Sequence, residues 1–297
     1  MKKFYFLSLL SLLFVTLLLS AGVSSCQKDP QCGESIDNGP SVMIMSFNLR
    51  GANNDEKNDF DKWENRRDAC CEMIKYVRPI IMGCQECEQE QRDYIKARCP
   101  GYDVVGRGRN EDGTGSQTAI FYLRDSISVL GSGTFWLTDT PDVPGRLPGA
   151  NVNRIATWIK ACHLSSDSVF YIINTHLTST KDKYDVRNTQ ISLILDFVKK
   201  NLGEGYPIVM TGDWNQGDDH QMFNQVYDDS FKNARYVAKV SDKGTTWNGF
   251  DGSSTGKLDH IFYRGFASCS KFAVERRAWN GHAYISDHYP IYATLHF

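Results

Sequence analysis

The stretch I-V-M-T-G-D-W-N at residues 208–215 joins an apolar run to a polar turn. The run at 207–211, bounded by turn-forming residues, predicts a short buried strand. Asp213 and Asn215 follow it at once, and Gly-Asp-x-Asn is also an ordinary turn composition. Loops at the ends of rigid strands are where catalytic groups collect. The stretch therefore predicts a buried strand that carries polar side chains at its carboxyl end.

The same arrangement recurs along the chain. Each instance alone has a structural explanation, such as an Asx turn or a core histidine, but chance would rarely place all of them at strand ends. Beyond Asp213 and Asn215, the polar residues at or beside predicted strands are Asn48 after 42–47, Glu86 after 79–83, His176 after 169–174, Asp259 within 257–263, and Asp287 and His288 before 290–296.

Helical patterns alternate with these strands. Apolar spacing predicts helices at 63–77, 88–98 and 187–201. Short turns predict two strand pairs, 119–123 with 127–130 and 155–163 with 169–174. Strands interleaved with helices, many of them in antiparallel pairs, indicate an α/β or α+β domain with two packed sheets.

The polar set matches the needs of phosphate-ester hydrolysis. A catalyst must screen the phosphate charge, orient a water molecule and protonate the leaving oxygen. Mg²⁺ binds hard oxygen ligands, usually one or two carboxylates plus phosphate and water. Glu86 and Asp287 offer carboxylates, and Asn48 offers a neutral oxygen.

The remaining polar residues suit the proton and water chemistry. Asp213 can orient or deprotonate water, and Asn215 can donate to a phosphate oxygen. His176 and His288 can donate protons, and a carboxylate such as Asp259 would hold one imidazole protonated.

Six motifs in order give a family resemblance. They are S-F-N-L-R at 46–50, Q-E at 85–86, N-T-H-L at 174–177, G-D-W-N at 212–215, L-D-H-I at 258–261 and S-D-H-Y-P at 286–290. From about residue 42 onward the chain resembles the endonuclease/exonuclease/phosphatase superfamily of metal-dependent phosphohydrolases. The resemblance implies a four-layer sandwich, in which two packed mixed β-sheets are flanked by helices.

The resemblance also implies residue roles. Glu86 would be the principal ligand of Mg²⁺, or of Mn²⁺ as a substitute, with Asn48 beside it and Asp287 nearby. Asp213 would position the attacking water, and Asn215 would contact the transferring phosphate. Asp259 would pair with His288, and His176 would stabilise the pentacovalent phosphate or assist the leaving group.

One position departs from many nucleases of the superfamily. They carry a Glu just before the strand at 119–123, where it hydrogen-bonds the first catalytic His, whereas Ser116 and Gln117 stand here. A neutral amide does not hold an imidazolium as a carboxylate does. We therefore expect His176 to contact phosphate in its neutral form, and we expect Gln117→Glu to raise its titration midpoint in NMR.

Further motifs resemble a bacterial branch of the superfamily. G-R-G-R-N-E-D-G at 106–113 contains Arg109, and N-R-I-A-T-W at 153–158 contains Arg154. These two arginines could bind a substrate phosphate bidentately, or they could pair with local acids such as Asp112. Trp136, Trp158, Trp214 and Trp247 could stack on a base or sugar, although core packing explains a tryptophan more often.

The N-terminus predicts export. Lys2 and Lys3 precede an apolar run and small residues, as in a signal peptide covering residues 1–25. V-S-S-C at 23–26 resembles a bacterial lipobox, which implies a lipidated Cys26 and anchoring to a bacterial membrane on its periplasmic or surface face. We expect residues 26–40, which begin with this cysteine, to form a flexible polar stalk, and residues 41–297 to form the domain. An ordinary signal-peptidase site or an uncleaved anchor are the alternatives.

Charge and cysteine content limit the partners. Residues 1–25 contain two lysines and no acid, so the 33 basic and 35 acidic residues of the whole chain become 31 and 35, a formal charge of −4. Long nucleic acid is possible but not favoured by this charge. Cys84 and Cys87 lack a second ligand pair for zinc, so packed thiols or a local disulfide are expected there.

Three functions follow in order of preference. The first is a phosphodiesterase, nuclease-like or acting on lipids, that uses metal-assisted in-line water attack. The second is a phosphomonoesterase acting on a small phosphorylated sugar or inositol. The third is a non-catalytic surface binding protein, which the intact polar set disfavours. A monomer is expected in each case.

Overall fold

The computed structural model describes residues 39–297. Its helices are α1 (Trp63–Val77), α2 (Gln89–Arg98), α3 (Tyr184–Asn201), α4 (Asn224–Asp228) and α5 (Ala234–Val237), with 3-10 turns at Asp59–Asp61 and Gln221–Phe223. Its strands are β1 (Ser41–Asn48), β2 (Ile81–Gln85), β3 (Tyr102–Val105), β4 (Ile120–Leu123), β5 (Ile127–Trp136), β6 (Ile155–His163), β7 (Ser168–His176), β8 (Ile208–Asp213), β9 (Lys232–Asn233), β10 (Val240–Ser241), β11 (Asp259–Arg264), β12 (Ser268–Val274) and β13 (Ile291–His296).

The strands form two mixed sheets. One sheet has seven strands in the order β10-β12-β13-β1-β2-β4-β3, and the other has six in the order β5-β6-β7-β8-β11-β9. The parallel pairs β1–β2 and β7–β8 lie within ladders that are otherwise mainly antiparallel. In each parallel pair a helix makes the crossover, α1 in the first and α3 in the second.

The central strands are buried on both faces. In β1, Val42 and Ile44 belong to the core between the sheets, while Met45 and Phe47 pack under α1. In β8, Val209 faces the inter-sheet core and Met210 packs under α3. This alternation explains why these strands appear as continuous apolar runs. The predicted sandwich of two mixed sheets flanked by helices is confirmed.

One predicted strand pair is wrong. The segments 119–123 and 127–130 fall in different sheets, because β4 pairs with β2 and β3 whereas β5 pairs with β6 along its whole length. Both edges of β4 are therefore occupied, so the chain crosses to the other sheet after a short turn. The predicted pairing of 155–163 with 169–174 is confirmed. The strands β3, β9, β10 and β12 and the short helices α4 and α5 were not predicted.

A buried amide joins the two sheets near the end that carries the site. The Asn174 Nδ2 atom donates to Cys84 O at 2.7 Å and to Ala119 O at 3.1 Å. Its Oδ1 atom accepts from Gln85 Nε2 at 2.6 Å and from Thr211 Oγ1 at 3.1 Å. Buried amides with all partners satisfied fix the relative position of the elements they join. Asn174 therefore sets the spacing of β2, β4, β7 and β8.

Gly83 leaves the space that this network needs. A Cβ atom at this position would lie 2.7 Å from Asn174 Oδ1 and would also collide with Thr211 Oγ1. We expect Gly83→Ala to lower the free energy of unfolding by about 1–3 kcal/mol, as overpacking in a core does. Thermal and urea unfolding measure this. Gly101→Ala is the control, because its Cβ would meet Leu123 at an ordinary 3.7 Å; equal stability of the two variants would contradict the expectation.

The cysteines of residues 39–297 are free thiols, six of them buried and Cys162 partly so. Cys84 and Cys87 are therefore packed thiols, and burial raises the pKa of Cys87 to about 12. Within the same residues, no helix is both long and apolar enough to cross a membrane. The predicted signal peptide, Cys26 and the stalk up to residue 38 lie outside the described residues.

Candidate active site

The predicted site residues meet where the two parallel strand pairs end. Asn48 is the last residue of β1, and His176 and Asp213 are the last residues of β7 and β8. The Asn48 Nδ2 atom donates to Asp213 Oδ2 at 3.0 Å, which joins the ends of the two sheets directly. The carboxyl ends of parallel strands thus collect the side chains that the sequence scatters over 165 positions.

Asp213 lies at the centre of the group. Its Oδ1 accepts from the Asn215 backbone N–H at 2.9 Å. Its Oδ2 lies 3.5 Å from His176 Nε2 and 3.7 Å from His288 Nε2. Burial raises the pKa of Asp213 to about 7. A carboxylate with this pKa can orient water and accept its proton near neutral pH.

His288 and Asp259 form the predicted pair. The His288 Nδ1 atom donates to Asp259 Oδ2 at 2.9 Å, and both side chains are buried. Burial opposes the charged imidazolium, but Asp259 and Asp213 outweigh it and raise the pKa of His288 well above its ordinary value. The pair therefore presents a positively charged Nε2 toward Asp213, as a donor to phosphate oxygen requires.

Glu86 sits in a strained turn directly after β2. Its backbone is in the left-handed region with φ at 53°, as is that of Asn215, with φ at 51°. Such conformations cluster at functional sites. The Glu86 carboxylate accepts from Gly51 N at 3.1 Å and from Asn48 Nδ2 at 3.3 Å. Burial would raise its pKa, but the neighbouring imidazoles and the Gly51 N–H hold the pKa of Glu86 down at about 2.

Glu86 and Asp287 fit a hard divalent cation. Both are desolvated, and burial together with the charge of Glu86 raises the pKa of Asp287. Arg50 Nη1, 3.4 Å from Asp287 Oδ2, offsets part of this negative charge. Oxygen donors without thiols suit Mg²⁺. Asn48 turns its Nδ2 to the carboxylates while its Oδ1 accepts from Arg50 N, so the amide must rotate before its oxygen can serve as a ligand.

A second group of possible ligands consists of Asp213, Asp259 and His288, whose ligand atoms all lie within 4.8 Å of one another. The His288 Nδ1 atom is already bound to Asp259. Because Mg²⁺ prefers oxygen to imidazole nitrogen, this group is better suited to proton transfer and charge stabilisation.

His176 stands on the cationic side of the site. Burial and the Arg154 guanidinium lower the pKa of His176 well below its ordinary value, which agrees with the expected neutral ring. Arg154 is only 6% exposed, donates to His176 O and Ser179 Oγ, and leaves its buried Nε without a partner. Burial and Arg109 lower the pKa of Arg154 to about 10. Within the described residues, neither arginine forms an ion pair with Asp112 or another acid.

Gln117 does not contact His176. Its amide donates to Gln89 Oε1 at 3.0 Å and accepts from Arg92 Nη1 at 2.9 Å. A carboxylate at this position would face Arg92, so the premise behind the expected effect of Gln117→Glu on His176 is not met by these contacts.

A cavity of about 540 Å³ is lined by six of the predicted site residues, Glu86, His176, Asp213, Asn215, Asp287 and His288. The other four, Asn48, Arg109, Arg154 and Asp259, do not line this cavity. Trp247 lines it and is 39% exposed, whereas Trp136 and Trp214 are buried and Trp158 packs against Phe197. The cavity also has lining residues that the sequence patterns did not single out. They are Arg50, Ser179, Lys181, Asp182, Tyr184, Arg187 and Gln216. Arg50 stands inside the motif at 46–50, which was the available signal for it.

Asn215 lies at the cavity wall with its amide engaged. The Asn215 Nδ2 atom donates to Leu177 O at 3.0 Å, so this contact must loosen or be shared before the amide donates to a phosphate.

A two-sheet sandwich with acids, amides and imidazoles at one edge is typical of a phosphate-ester hydrolase. The Endonuclease/Exonuclease/phosphatase family model matches residues 45–288. The chain belongs to this family and is a hydrolase acting on phosphate esters.

Three solved structures from Bacteroides are similar over most of this chain. A family protein from Bacteroides vulgatus is 30% identical, with a TM-score of 0.79, covering 87% of this chain and 99% of that one. A family protein from Bacteroides thetaiotaomicron is 28% identical, with a TM-score of 0.80 and coverages of 87% and 98%. The mannosyl-6-phosphatase of Bacteroides thetaiotaomicron VPI-5482 is 28% identical, with a TM-score of 0.78 and coverages of 86% and 100%.

Proposed function

We propose that the protein is a Mg²⁺-dependent phosphomonoesterase acting on a small phosphorylated sugar. The observation that carries this is the convergence of Glu86, Asp213 and His288 on one cavity. Three further points support the sugar monoester. The cavity has the volume of a small-ligand site, the predicted mature chain is acidic, and a mannosyl-6-phosphatase is similar over its whole length.

Each residue then has a defined task. Glu86 and Asp287, with Asn48 after its amide rotates, would hold the cation, which supplies charge stabilisation to the phosphate oxygens when bound. Asp213 accepts a proton from the attacking water. His288, held charged by Asp259, donates to a phosphate oxygen. His176 contacts phosphate as a neutral ring, and Asn215 adds an uncharged donor.

The arginines beside His176 complete the phosphate site in this proposal. Arg154 has an unpartnered buried Nε, and within residues 39–297 no carboxylate forms an ion pair with Arg154 or Arg109, so neither charge is neutralised. A monoester carries more charge than a diester, and guanidinium groups bind such oxygens bidentately.

A phosphodiesterase is the second candidate. The half-exposed Trp247 at the cavity wall favours it, because indole rings stack on nucleic-acid bases. The same ring can pack on the apolar face of a sugar, so substrate turnover must decide.

We also propose that the protein works outside the cytoplasm, attached to a bacterial membrane through Cys26. The charged, apolar and small-residue segments of residues 1–25 support this, as does the lipobox-like V-S-S-C. Labelling with a radioactive fatty acid, lost on Cys26→Ala, tests the anchor.

The function is tested by a substrate panel. The purified protein is assayed with mannose 6-phosphate, p-nitrophenyl phosphate, bis-p-nitrophenyl phosphate and a single-stranded oligonucleotide, with Mg²⁺ or EDTA. We expect the monoesters to be hydrolysed faster than the diesters, and EDTA to stop the reaction. Faster turnover of the oligonucleotide or of bis-p-nitrophenyl phosphate would contradict the phosphomonoesterase and support the phosphodiesterase.

A further inference from the structure

We infer that Arg66 and Arg187 are a matched pair of positioning residues, each fixing by hydrogen bonds to carbonyl oxygens the loops that carry one half of the active site. Arg66 serves the Glu86–Asp287 half, and Arg187 serves the His176–Asn215 half. The inference rests on the proposed function only in assigning cation binding to the first half and substrate phosphate to the second.

Arg66 is fully buried on α1 and donates to four backbone carbonyls. Its Nη1 atom reaches Leu49 O at 2.7 Å and Ile285 O at 2.9 Å. Its Nη2 reaches Arg50 O at 2.6 Å, and its Nε reaches Asp61 O at 2.8 Å. Leu49 directly follows Asn48, and Ile285 precedes the Ser286–Asp287–His288 segment by one residue. One guanidinium therefore ties together the two loops that flank the proposed cation site.

Arg187 makes the equivalent contacts in the other half. It is 2% exposed, and its Nη1 donates to Thr178 O and Thr180 O, each at 2.9 Å. Its Nη2 donates to Gln216 Oε1 at 3.2 Å. Thr178 lies two residues after His176, and Gln216 directly follows Asn215. Arg187 thus joins the loop after β7 to the loop after β8.

The two arginines occupy corresponding places. Each is the fourth residue of the crossover helix in a parallel strand–helix–strand unit, β1-α1-β2 or β7-α3-β8. Each guanidinium lies near the ring of the helix's first residue, at 5.3 Å from Trp63 and 5.1 Å from Tyr184.

The loops that the two arginines hold also correspond. In both units the residue that directly follows the first strand donates its backbone N–H to the last residue of the neighbouring parallel strand. Leu49 N donates to Gln85 O, and Leu177 N donates to Asp213 O, each at 3.0 Å. The same contact pattern therefore occurs twice, once on each side of the cavity.

Charge pairing does not explain these contacts. Within residues 39–297, neither Arg66 nor Arg187 forms an ion pair with a carboxylate, although burying an unpaired cation is costly. Their charge goes instead into hydrogen bonds with carbonyls, which are stronger than bonds from a neutral donor. The rigid planar fork fixes several acceptors at once, which a lysine ammonium cannot reproduce. We infer that these hydrogen bonds fix the geometry of the loops that carry the site residues.

The test compares Arg66→Lys and Arg187→Lys with Arg264→Lys. Arg264 is the control for loss of an arginine fork away from the site. It donates to the backbone carbonyl of Asp229 and, unlike the other two, also pairs with the Asp229 carboxylate at 2.8 Å, and it lies at the other end of β11 from Asp259. Mg²⁺ affinity is measured by calorimetry without substrate, and kcat and KM are measured at saturating Mg²⁺ with p-nitrophenyl phosphate. Circular dichroism and thermal unfolding confirm the fold of each variant.

We expect Arg66→Lys and Arg187→Lys to affect different constants, the Mg²⁺ affinity in the first variant and kcat/KM in the second. Arg66→Lys should weaken Mg²⁺ binding by about tenfold to a hundredfold, the range seen when support of metal ligands is lost. Arg187→Lys should leave Mg²⁺ affinity within about twofold of wild type while kcat/KM falls about tenfold to a hundredfold through misplacement of the phosphate-binding groups. Arg264→Lys should change neither.

Several results would overturn the inference. These are equal effects of both variants on both constants, a loss of thermal stability with neither constant changed, or failure of either lysine variant to fold, since the arginines would then serve the fold as a whole. Failure of the proposed function gives a different result: wild type would bind Mg²⁺ but not hydrolyse monoesters, and the Mg²⁺ affinity of Arg66→Lys would still report on its positioning role.

Discussion

Replacing Glu86 with Gln should abolish detectable Mg²⁺ binding and lower monoester turnover by about 10³-fold or more, the effect of losing several kcal/mol of charge stabilisation. Glu86 is desolvated, yet its pKa is held at about 2, so the carboxylate is charged at any working pH. Gln keeps the shape but removes the charge. Its single amide oxygen can accept from Gly51 N or from Asn48 Nδ2 but not from both, because these two atoms donate to different oxygens of Glu86. The change therefore removes the negative charge and one of these two hydrogen bonds.

Calorimetric Mg²⁺ titration and initial rates over a range of Mg²⁺ concentrations measure this effect. Glu88→Gln is the control, because Glu88 is a nearby, less buried carboxylate that caps the start of α2. Full activity of Glu86→Gln at ordinary Mg²⁺ concentrations would show that Glu86 does not bind the cation, and the proposed location of the cation would then be wrong.

Replacing His288 with Gln should lower kcat by about 10²–10⁴-fold, the usual contribution of a positioned proton donor. The ring is held charged by Asp259 and lies with Nε2 3.7 Å from Asp213 Oδ2. Gln retains a donor but carries no positive charge toward the phosphate. Asp259→Asn should change kcat in the same direction, because the charged form of the imidazole would lose its stabilising partner.

Single-turnover rates at saturating Mg²⁺ measure the effect of these changes on the hydrolysis step itself. His163→Gln is a matched control, because His163 is also largely buried but bonds to Ser166 at the far end of β6 from the site. If His288→Gln raised KM without changing kcat, His288 would bind substrate equally in ground and transition states and would not assist the reaction.

Much of the site could be predicted because its residues mark strand ends. A buried strand followed by Asn, Asp or His is a local pattern, and parallel strands bring their carboxyl ends to one edge whatever the connection between them. That is why Asn48, His176 and Asp213 could be placed together from sequence. Residue chemistry required only that a carboxylate such as Asp259 hold one imidazole protonated, and the choice of His288 as its partner followed from the family resemblance.

The predictions that were not met concern segments whose local sequence is compatible with more than one tertiary arrangement. A three-residue turn after β4 permits a hairpin, and only the occupied edges of β4 show that β5 must join the other sheet. Gln117 stands at the position where nucleases carry a carboxylate, but Arg92 and Gln89 bind it in this structure. Neither the contact of Gln117 with Arg92 nor the pairing of β5 with β6 can be recognised from neighbours in sequence.

Most of the strand and helix pattern, the two-sheet class and the identity of the acids, amides and imidazoles follow from the amino-acid order, because these depend on periodicity and on residue chemistry. Only the folded protein shows the buried carbonyl contacts of Arg66 and Arg187, the unpartnered Nε of Arg154 and the shift of Asp213 to a pKa of about 7. Those properties depend on burial and on which groups from distant segments share a low-dielectric space, and no local pattern encodes that.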